Sequence, residues 1–265
     1  MVLFVEKMRG ILDEDEPVFT PHDVVRYDAQ CRGVDIEHFQ IPTRLILLYQ
    51  RNAFEYAKKV LEGKNLEWLY GASRPFCTGL VGGKEIGAFR AWVGAPAAAA
   101  MLEELIACGA KSIFEVGMAG SLQDSLKPGD IVVVTEAIRD EGTSNHYFQP
   151  EVRLESSPGL KDLLIRHLDL NEIKYCVGSV WTTDGAYRET RSKLLKFRKQ
   201  GALAVNMETS ALFAVAKYRD VEIASVQVIS DVLSEEGWQP AFRDEKVSSG
   251  LRVLLDVVVE ALAEL

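Results

Sequence analysis

Apolar runs of strand length alternate with segments of helical spacing along most of this 265-residue chain. The runs predict strands at 44–49, 83–94 (with the turn that follows), 111–117, 130–138, 174–183, 202–207 and 222–230. Between and after them, helices are predicted at 52–63, 95–110, 158–170, 190–201, 208–220 and 244–265. This order is typical of an α/β sheet covered by helices, and near-continuous apolar strands indicate that both sheet faces are buried.

The chain shows neither an internal repeat nor a low-complexity linker, so we predict one domain over residues 1–265. Residues 1–43 are mixed and polar, with prolines at positions 17, 21 and 42. We expect this stretch to form an irregular N-terminal arm, and we expect the sheet and its helices to begin after it.

Charge and composition limit the partners of the chain. The formal net charge is −9, without a basic stripe to neutralise the phosphates of a nucleic acid. No stretch reaches the roughly 18 uninterrupted apolar residues of a membrane helix, and the N-terminus lacks the basic region of a secretory signal. The four cysteines lack the spacing of a zinc site. We expect a cytoplasmic protein that uses no metal, nucleic acid or membrane.

Candidate functional residues follow four of the predicted strands. Ligands bind beyond the carboxyl ends of the strands in such sheets, so we expect these residues to form one rim. The rim would supply glycines, an aromatic side chain, carboxylates and an arginine. Its members are the glycine turn Gly117-Met118-Ala119-Gly120, the segment 184–188, the pair Met207-Glu208 and the pair Ser230-Asp231.

Two carboxylates in this set lie beside apolar segments and must find partners there. Glu208 either interacts with the dipole of the helix that follows it or binds the hydroxyls of a sugar. Asp231 is either a turn or N-cap residue or a carboxyl that gives or takes a proton in a cleft. Arg243 is either a solvated surface residue or a partner of Asp231. The residues alone leave these alternatives open.

Five segments together resemble the purine nucleoside phosphorylase/uridine phosphorylase family (nucleoside phosphorylase family I). They are GAPAAAAMLEELIACGAKSIFEVGMAGSL (94–122), GDIVVVTEAIRDEGTSNHY (129–147), VWTTDGAYRET (180–190), VNMETSALFAVA (205–216) and VISD (228–231). The resemblance implies a single α/β domain with a central mixed, twisted and partly barrel-like sheet flanked by helices. It also implies a homo-oligomer, from a dimer to a hexamer built as a trimer of dimers, with active sites shared between neighbouring subunits.

The reaction that the resemblance implies is reversible phosphorolysis. A purine or pyrimidine ribonucleoside reacts with phosphate to give free base and ribose 1-phosphate, without a metal or organic cofactor and with phosphate as co-substrate. The expected ligand is therefore a small-molecule nucleoside.

Carried over residue by residue, the resemblance assigns roles at the rim. Glu208 matches the glutamate that binds the ribose 2′- and 3′-hydroxyls, and Met207 matches the methionine packed under the sugar. Asp231 matches the acid that protonates a purine ring nitrogen as the base leaves. Tyr187 lies beside the base-stacking position, which Ala186 occupies. Asp231 favours a purine, whereas the spacing of TSNHY and TTDGAYRET resembles the uridine phosphorylase branch. The resemblance therefore leaves both a purine and a pyrimidine base as candidates.

The expected anion ligands are mostly missing. The family's Gly-Asp-Pro-x-x-Arg loop corresponds to YQRNAF (49–54), where Arg51 is either a substitute or a surface residue. Arg74, in ASRPF, matches the arginine that reaches a neighbouring subunit's phosphate site. It is the one expected anion ligand that this sequence keeps.

The glycine turn also lacks anion ligands that the family pattern has. Gly117 keeps the backbone shape, but Glu115 stands where the family has an arginine and Met118 where it has a Ser or Thr. A carboxylate about 4 Å from a phosphate charge costs roughly 4 kcal/mol per charge pair at an effective dielectric near 20. These departures leave three candidate functions. They are a phosphorylase with an altered phosphate site, which we expect, a nucleosidase in which Glu115 activates water, and a non-catalytic nucleoside-binding or assembly subunit.

Overall fold

The computed structural model describes residues 10–11 and 16–265. The helices in this part of the chain are α1 (Pro21–Arg32), α2 (Arg51–Val60), α3 (Ala95–Ala107), α4 (Pro158–Leu170), α5 (Arg191–Lys199), α6 (Thr209–Arg219) and α7 (Glu245–Glu264). The strands are β1 (Arg44–Leu48), β2 (Lys64–Leu66), β3 (Phe76–Val81), β4 (Lys84–Arg90), β5 (Ser112–Ser121), β6 (Ile131–Asp140), β7 (Leu154–Glu155), β8 (Cys176–Thr183), β9 (Ala202–Asn206), β10 (Glu222–Ser234) and β11 (Gly237–Pro240). The predicted alternation is confirmed, and the sequence does not predict β2, β3, β7 and β11.

All strands of the described chain belong to one mixed sheet. Their order is β11-β10-β6-β8-β9-β5-β1-β4-β3-β2, and β7 pairs with β6. Because β10 also pairs with β5, the strands β10, β6, β8, β9 and β5 close into a ring. The strands β1, β4, β3 and β2 extend this ring from β5 as an open sheet, while β11 pairs with β10 and β7 with β6. The molecule is therefore a single α/β domain whose central sheet is mixed and partly barrel-like, as predicted.

Helices cover both faces of the sheet and build two large core clusters. One cluster takes residues from α1, α3 and α6, and the other from α2, α4 and α7. On β10, Val226 and Val228 pack into the second cluster. Ser225 and Gln227 point to the opposite face, because side chains alternate along a strand. None of the helices in the described part of the chain combines the length and the hydropathy that a membrane crossing requires.

The expectation of an irregular arm at 1–43 is wrong for its second half, which contains α1. Thr20 caps this helix: its Oγ1 accepts a 3.4 Å hydrogen bond from the Asp23 N–H, while Asp23 Oδ2 accepts one of 2.9 Å from the Thr20 N–H. Pro21 fits the first turn, which needs no N–H from it, and Gly33 ends the helix at a φ of 67°. Residues 1–9 and 12–15 lie outside the described residues.

The glycine turn predicted at 117–120 is wrong as well, because these residues belong to β5. They pair with β10, with one shift in register between Ala119 and Gly120. A Cβ on Gly117 would lie 2.5 Å from Oε1 of Gln227, and a Cβ on Gly120 would lie 2.5 Å from Cδ1 of Leu233. Both glycines are therefore explained by the close approach of β10 side chains to β5.

Candidate active site

A cavity of about 570 Å³ lies where the ends of several strands meet. Segments after β1, β4 and β8 line it together with β5, β9, β10 and β11. The four segments predicted from strand ends thus contribute to one cavity. Its lining residues are Tyr49, Gln50, Val93, Met118, Ala119, Gly120, Ala186, Tyr187, Glu189, Val205, Asn206, Met207, Glu208, Ser230, Asp231, Leu233, Trp238 and Phe242.

Glu208 is buried between the end of β9 and the start of α6. Its Oε1 accepts a 2.7 Å hydrogen bond from the Gly94 N–H, and its Oε2 accepts one of 3.2 Å from the Met207 N–H. Burial, followed by the charge of Glu115, raises the pKa of Glu208 to about 7, against the effect of these two N–H donors. An ionised carboxylate has about four acceptor positions, so Glu208 keeps room for hydroxyls of a ligand.

Glu115 is fully buried and belongs to a network of polar side chains. The Tyr49 hydroxyl donates to its Oε1 at 2.8 Å, and the Thr209 hydroxyl donates to its Oε2 at 2.7 Å. Asn206 in turn donates to Thr209, and the hydroxyls of Thr209 and Ser225 lie 3.4 Å apart. Burial raises the pKa of Glu115, while the hydrogen bonds to it lower that pKa. Water activation by Glu115 would therefore have to act through a hydroxyl that already holds it.

Tyr49 and Thr209 both donate to Glu115 through their hydroxyls, and of these two residues Tyr49 lines the cavity. Burial, and after it the nearby charges of Glu115 and Glu208, raise the pKa of Tyr49 well above its ordinary value. The Tyr49 phenol is therefore neutral at pH 7. It presents an oxygen, and not a positive charge, at the place where the family resemblance puts a phosphate loop.

Asp231 lies inside β10, just after a shift in register that follows Ile229, and not at a strand end as predicted. Ser230 Oγ donates to its Oδ1 at 2.7 Å, and Trp238 Nε1 donates to its Oδ2 at 2.7 Å. Trp238 belongs to the edge strand β11, which pairs with β10 and brings the indole over the carboxylate.

The structure does not bring Arg243 to Asp231. Arg243 is exposed on the segment after β11, and within the described residues its guanidinium has no hydrogen bond or ion pair. The donors to Asp231 are instead Ser230 and the Trp238 indole. Arg243 instead lines a separate shallow groove with Pro240 and Asp244.

Arg74 and Gly117 lie outside the cavity lining. The Arg74 guanidinium stacks on the Trp92 ring, 4.5 Å from its centroid. Among the described residues its Nε is buried without a hydrogen-bond acceptor. Burial, followed by the charge of Arg90, lowers its pKa. Gly117 faces Gln227 inside the sheet, so of the predicted glycine segment Met118, Ala119 and Gly120 reach the cavity.

Several lining residues are not among those predicted from the sequence, and the most informative are Tyr49, Glu189 and Trp238. Tyr49 carries a weak signal, because it directly ends an apolar run, as ligand-binding residues often do. Trp238 lies in a polar stretch with no strand pattern, and its place depends on the pairing of β11 with β10. Ala186 and the exposed Tyr187 line the rim, as predicted.

Comparisons with known proteins agree with this architecture. The model of the phosphorylase superfamily matches residues 44–263. A DeoD-type purine nucleoside phosphorylase from Exiguobacterium sp. is 29% identical over 189 residues, which cover 69% of this chain and 78% of that protein. A uridine phosphorylase from Vibrio fischeri ES114 superimposes with a TM-score of 0.78 at 27% identity, over 88% of this chain and 95% of that one.

A purine nucleoside phosphorylase from Toxoplasma gondii shares the fold, with a TM-score of 0.77 at 21% identity over 85% of this chain and 92% of that one. Residues 44–263, which the model of the phosphorylase superfamily matches, contain the whole ring of strands and every segment that lines the cavity. This match shows that the chain belongs to the phosphorylase superfamily, in its nucleoside phosphorylase family.

Proposed function

We propose that this chain cleaves the N-glycosidic bond of a purine or pyrimidine ribonucleoside, as a pentosyltransferase-type enzyme. One observation carries the proposal: a single cavity is lined by Glu208, Met207 and Asp231, to which the family resemblance assigns the ribose and the base. Its volume of about 570 Å³ is in the range of small-molecule sites. The purine and uridine phosphorylases to which the chain is similar support the same class of substrate.

The chemistry follows from the side chains in the cavity. Glu208 accepts hydrogen bonds from the ribose hydroxyls, and Met207 packs under the sugar. As the bond between C1′ and the base breaks, positive charge develops on the sugar, and a nearby carboxylate stabilises it. Asp231 lies in the same cavity, where a carboxyl group contacts the departing base.

Phosphate is the acceptor that family membership favours. Within the described lining residues, three are acidic and none is Lys or Arg, so the cavity does not supply the positive charge that a phosphate dianion needs. We propose that Arg74 of a neighbouring copy supplies it, which requires a homo-oligomer with shared active sites. The Arg74 guanidinium, half-buried on the Trp92 ring and with an Nε that has no acceptor among the described residues, is left for such a contact.

Water is the second candidate acceptor, and the pair of Tyr49 and Glu115 favours it. The Tyr49 hydroxyl donates to Glu115 at 2.8 Å and leaves its own oxygen lone pairs free to accept from a ligand. A water molecule can donate a hydrogen bond to the Tyr49 oxygen, whereas the buried carboxylate beside it would repel a phosphate dianion. In this case the protein is a nucleosidase, and a water proton passes to Glu115 through Tyr49.

Base release from inosine, adenosine and uridine, each with and without phosphate, tests the proposal. Release that requires phosphate supports phosphorolysis, and release of free base and ribose without phosphate supports hydrolysis. Absence of release from all three, with nucleoside binding retained in calorimetry, contradicts the proposal and indicates a binding subunit. Arg74→Ala separates the acceptors further, because it should abolish only the phosphate-dependent reaction.

A further inference from the structure

Glu189 is a carboxylic side chain of the cavity to which the proposed function gives no role. It follows the single 3₁₀ turn Ala186–Arg188 after β8, and it directly precedes Thr190, which caps α5. Its backbone N–H donates to the Ala186 carbonyl at 3.4 Å. Its side chain is half-buried and lines the same cavity as Asp231. Within the described residues, its carboxyl oxygens have no hydrogen-bond donor.

Asp231 differs from Glu189 in how its oxygens are occupied. Each of its two oxygens accepts a hydrogen bond of 2.7 Å, from Ser230 and from Trp238. Both neighbours are donors, so both oxygens of Asp231 act as acceptors. Both oxygens of Asp231 are therefore engaged by protein donors, while the oxygens of Glu189 have no protein donor among the described residues and are free to contact a ligand.

The charges that face Glu189 favour its protonated form. Burial, followed by the negative charge of Asp231, raises the pKa of Glu189 to about 7. The opposing positive charge comes from Lys193 on α5, whose ammonium is tied to Asp140 at 2.7 Å. Active sites often hold two carboxyl groups in different environments, which move their pKa values apart. One group then serves as the acid while the other stays charged.

We propose that the Glu189 carboxylic acid donates the proton that the departing base needs, with the Asp231 carboxylate as its charged neighbour. This inference rests on the proposed function. The C1′–N bond breaks, and its electron pair goes to the base ring. The Glu189 proton moves to a base nitrogen, and an oxygen of the acceptor, phosphate or water, bonds to C1′. The carboxylate left on Glu189 takes its proton back from solvent before the next turnover.

The test compares two substrates that differ in their need for an acid. The first is whichever of inosine, adenosine and uridine the wild type cleaves. The second is 4-nitrophenyl β-D-ribofuranoside, whose leaving group departs as a stable phenolate without a proton. Glu189→Gln should lower kcat/KM about 100-fold or more for the nucleoside, in line with general-acid contributions of about 10² to 10⁴. It should lower kcat/KM less than about three-fold for the nitrophenyl riboside, whose departure needs no proton transfer.

The pH profile gives a second readout. The wild-type rate on the nucleoside should fall above about pH 7, where Glu189 loses its proton, and this limb should be absent in Glu189→Gln. Asp231→Asn removes the neighbouring charge, so it should move the limb to lower pH. Glu236→Gln, at an exposed carboxylate outside the cavity, is the matched control and should leave rate and profile unchanged.

Three results would overturn the inference. They are an unchanged nucleoside rate in Glu189→Gln, equal losses on both substrates, and a loss specific to the nucleoside in Asp231→Asn without one in Glu189→Gln. Each leaves the proposed function standing, because the wild type still cleaves the nucleoside. A wild type that cleaves neither substrate instead overturns the proposed function, and this inference with it.

Discussion

The Tyr49 hydroxyl donates a 2.8 Å hydrogen bond to Glu115, across two strands that run side by side in the sheet. The register of β1 and β5 sets Leu47 opposite Glu115, and Tyr49 follows Leu47 by two residues, so its side chain can reach Glu115 from just beyond the end of β1. Together the two side chains occupy the place where the family resemblance puts a phosphate loop and an arginine. A neutral phenol and a buried carboxyl thus stand where anion ligands are expected.

Removal of the Tyr49 hydroxyl should destabilise the protein. Tyr49→Phe leaves an oxygen of the buried Glu115 without its donor, and loss of one partner of a buried polar group costs about 1–3 kcal/mol. We expect the free energy of unfolding to fall by that amount in urea titrations. Tyr175→Phe is the matched control, because its hydroxyl donates to Asp169 at an exposed site. That control should change stability by less than about 0.5 kcal/mol, and equal losses would contradict the expectation.

Glu208 should make the protein less stable as pH rises. Its pKa is about 7 in the folded protein and 4.5 in the reference state. Between these values the folded state binds more protons than the unfolded state, so stability falls with pH. Glu208→Gln removes this effect and should reduce the stability difference between pH 5 and pH 8 by about 2.5 kcal/mol, at about 1.4 kcal/mol per pKa unit. Urea titrations at both pH values measure it, and Glu236→Gln should keep the wild-type difference.

The same residue should set the preference for ribose over 2′-deoxyribose. A hydrogen bond to a charged group contributes about 1.5–3 kcal/mol, so Glu208→Gln should reduce the ratio of kcat/KM for a ribonucleoside and its 2′-deoxy analogue by about 10- to 100-fold, at tenfold per 1.4 kcal/mol. Steady-state kinetics on the pair gives the ratio directly. An unchanged ratio would falsify the assignment of Glu208 to the ribose hydroxyls.

Gly117→Ala should disturb the buried network. The added Cβ would lie 2.5 Å from Oε1 of Gln227, whose Nε2 donates to Ser225 at 2.9 Å. Overpacking of this kind costs about 1–3 kcal/mol, which thermal and urea unfolding should both detect. Gly142→Ala is the control, because its φ is −87° and its Cβ would meet Asp184 at an ordinary 3.6 Å. A larger loss at Gly142 than at Gly117 would contradict the packing explanation.

Long periodic elements could be predicted from the sequence almost to the residue. The helix predicted at 158–170 is α4 (Pro158–Leu170), because its apolar residues recur with helical spacing and Pro158 marks its first turn. β5 and β10 extend further than predicted, since the glycines and polar residues at their ends look like turn signals. In the fold they are instead accommodated by close packing of the two strands.

The candidate site could be predicted in part for the same reason. Met118, Met207 and Glu208 follow or end apolar runs, and strand ends meet at one edge, so their convergence follows from the fold class. The contact of Tyr49 with Glu115 joins residues 66 positions apart. It depends on which strands become neighbours, and local periodicity carries no information about that. The same holds for Trp238 and Asp231, which meet through an edge strand too short to be recognised.

The edge position of β11 gives the cavity two walls of different mobility. β10 pairs with β5, β6 and β11, so its amide hydrogens should exchange with solvent only when the ring of strands unfolds. The residues of β11 are all exposed, and this strand can separate by local opening alone. Each such opening releases the Trp238 indole from Asp231. The time that a ligand stays bound should therefore follow the opening rate of one short hairpin and not the stability of the whole domain.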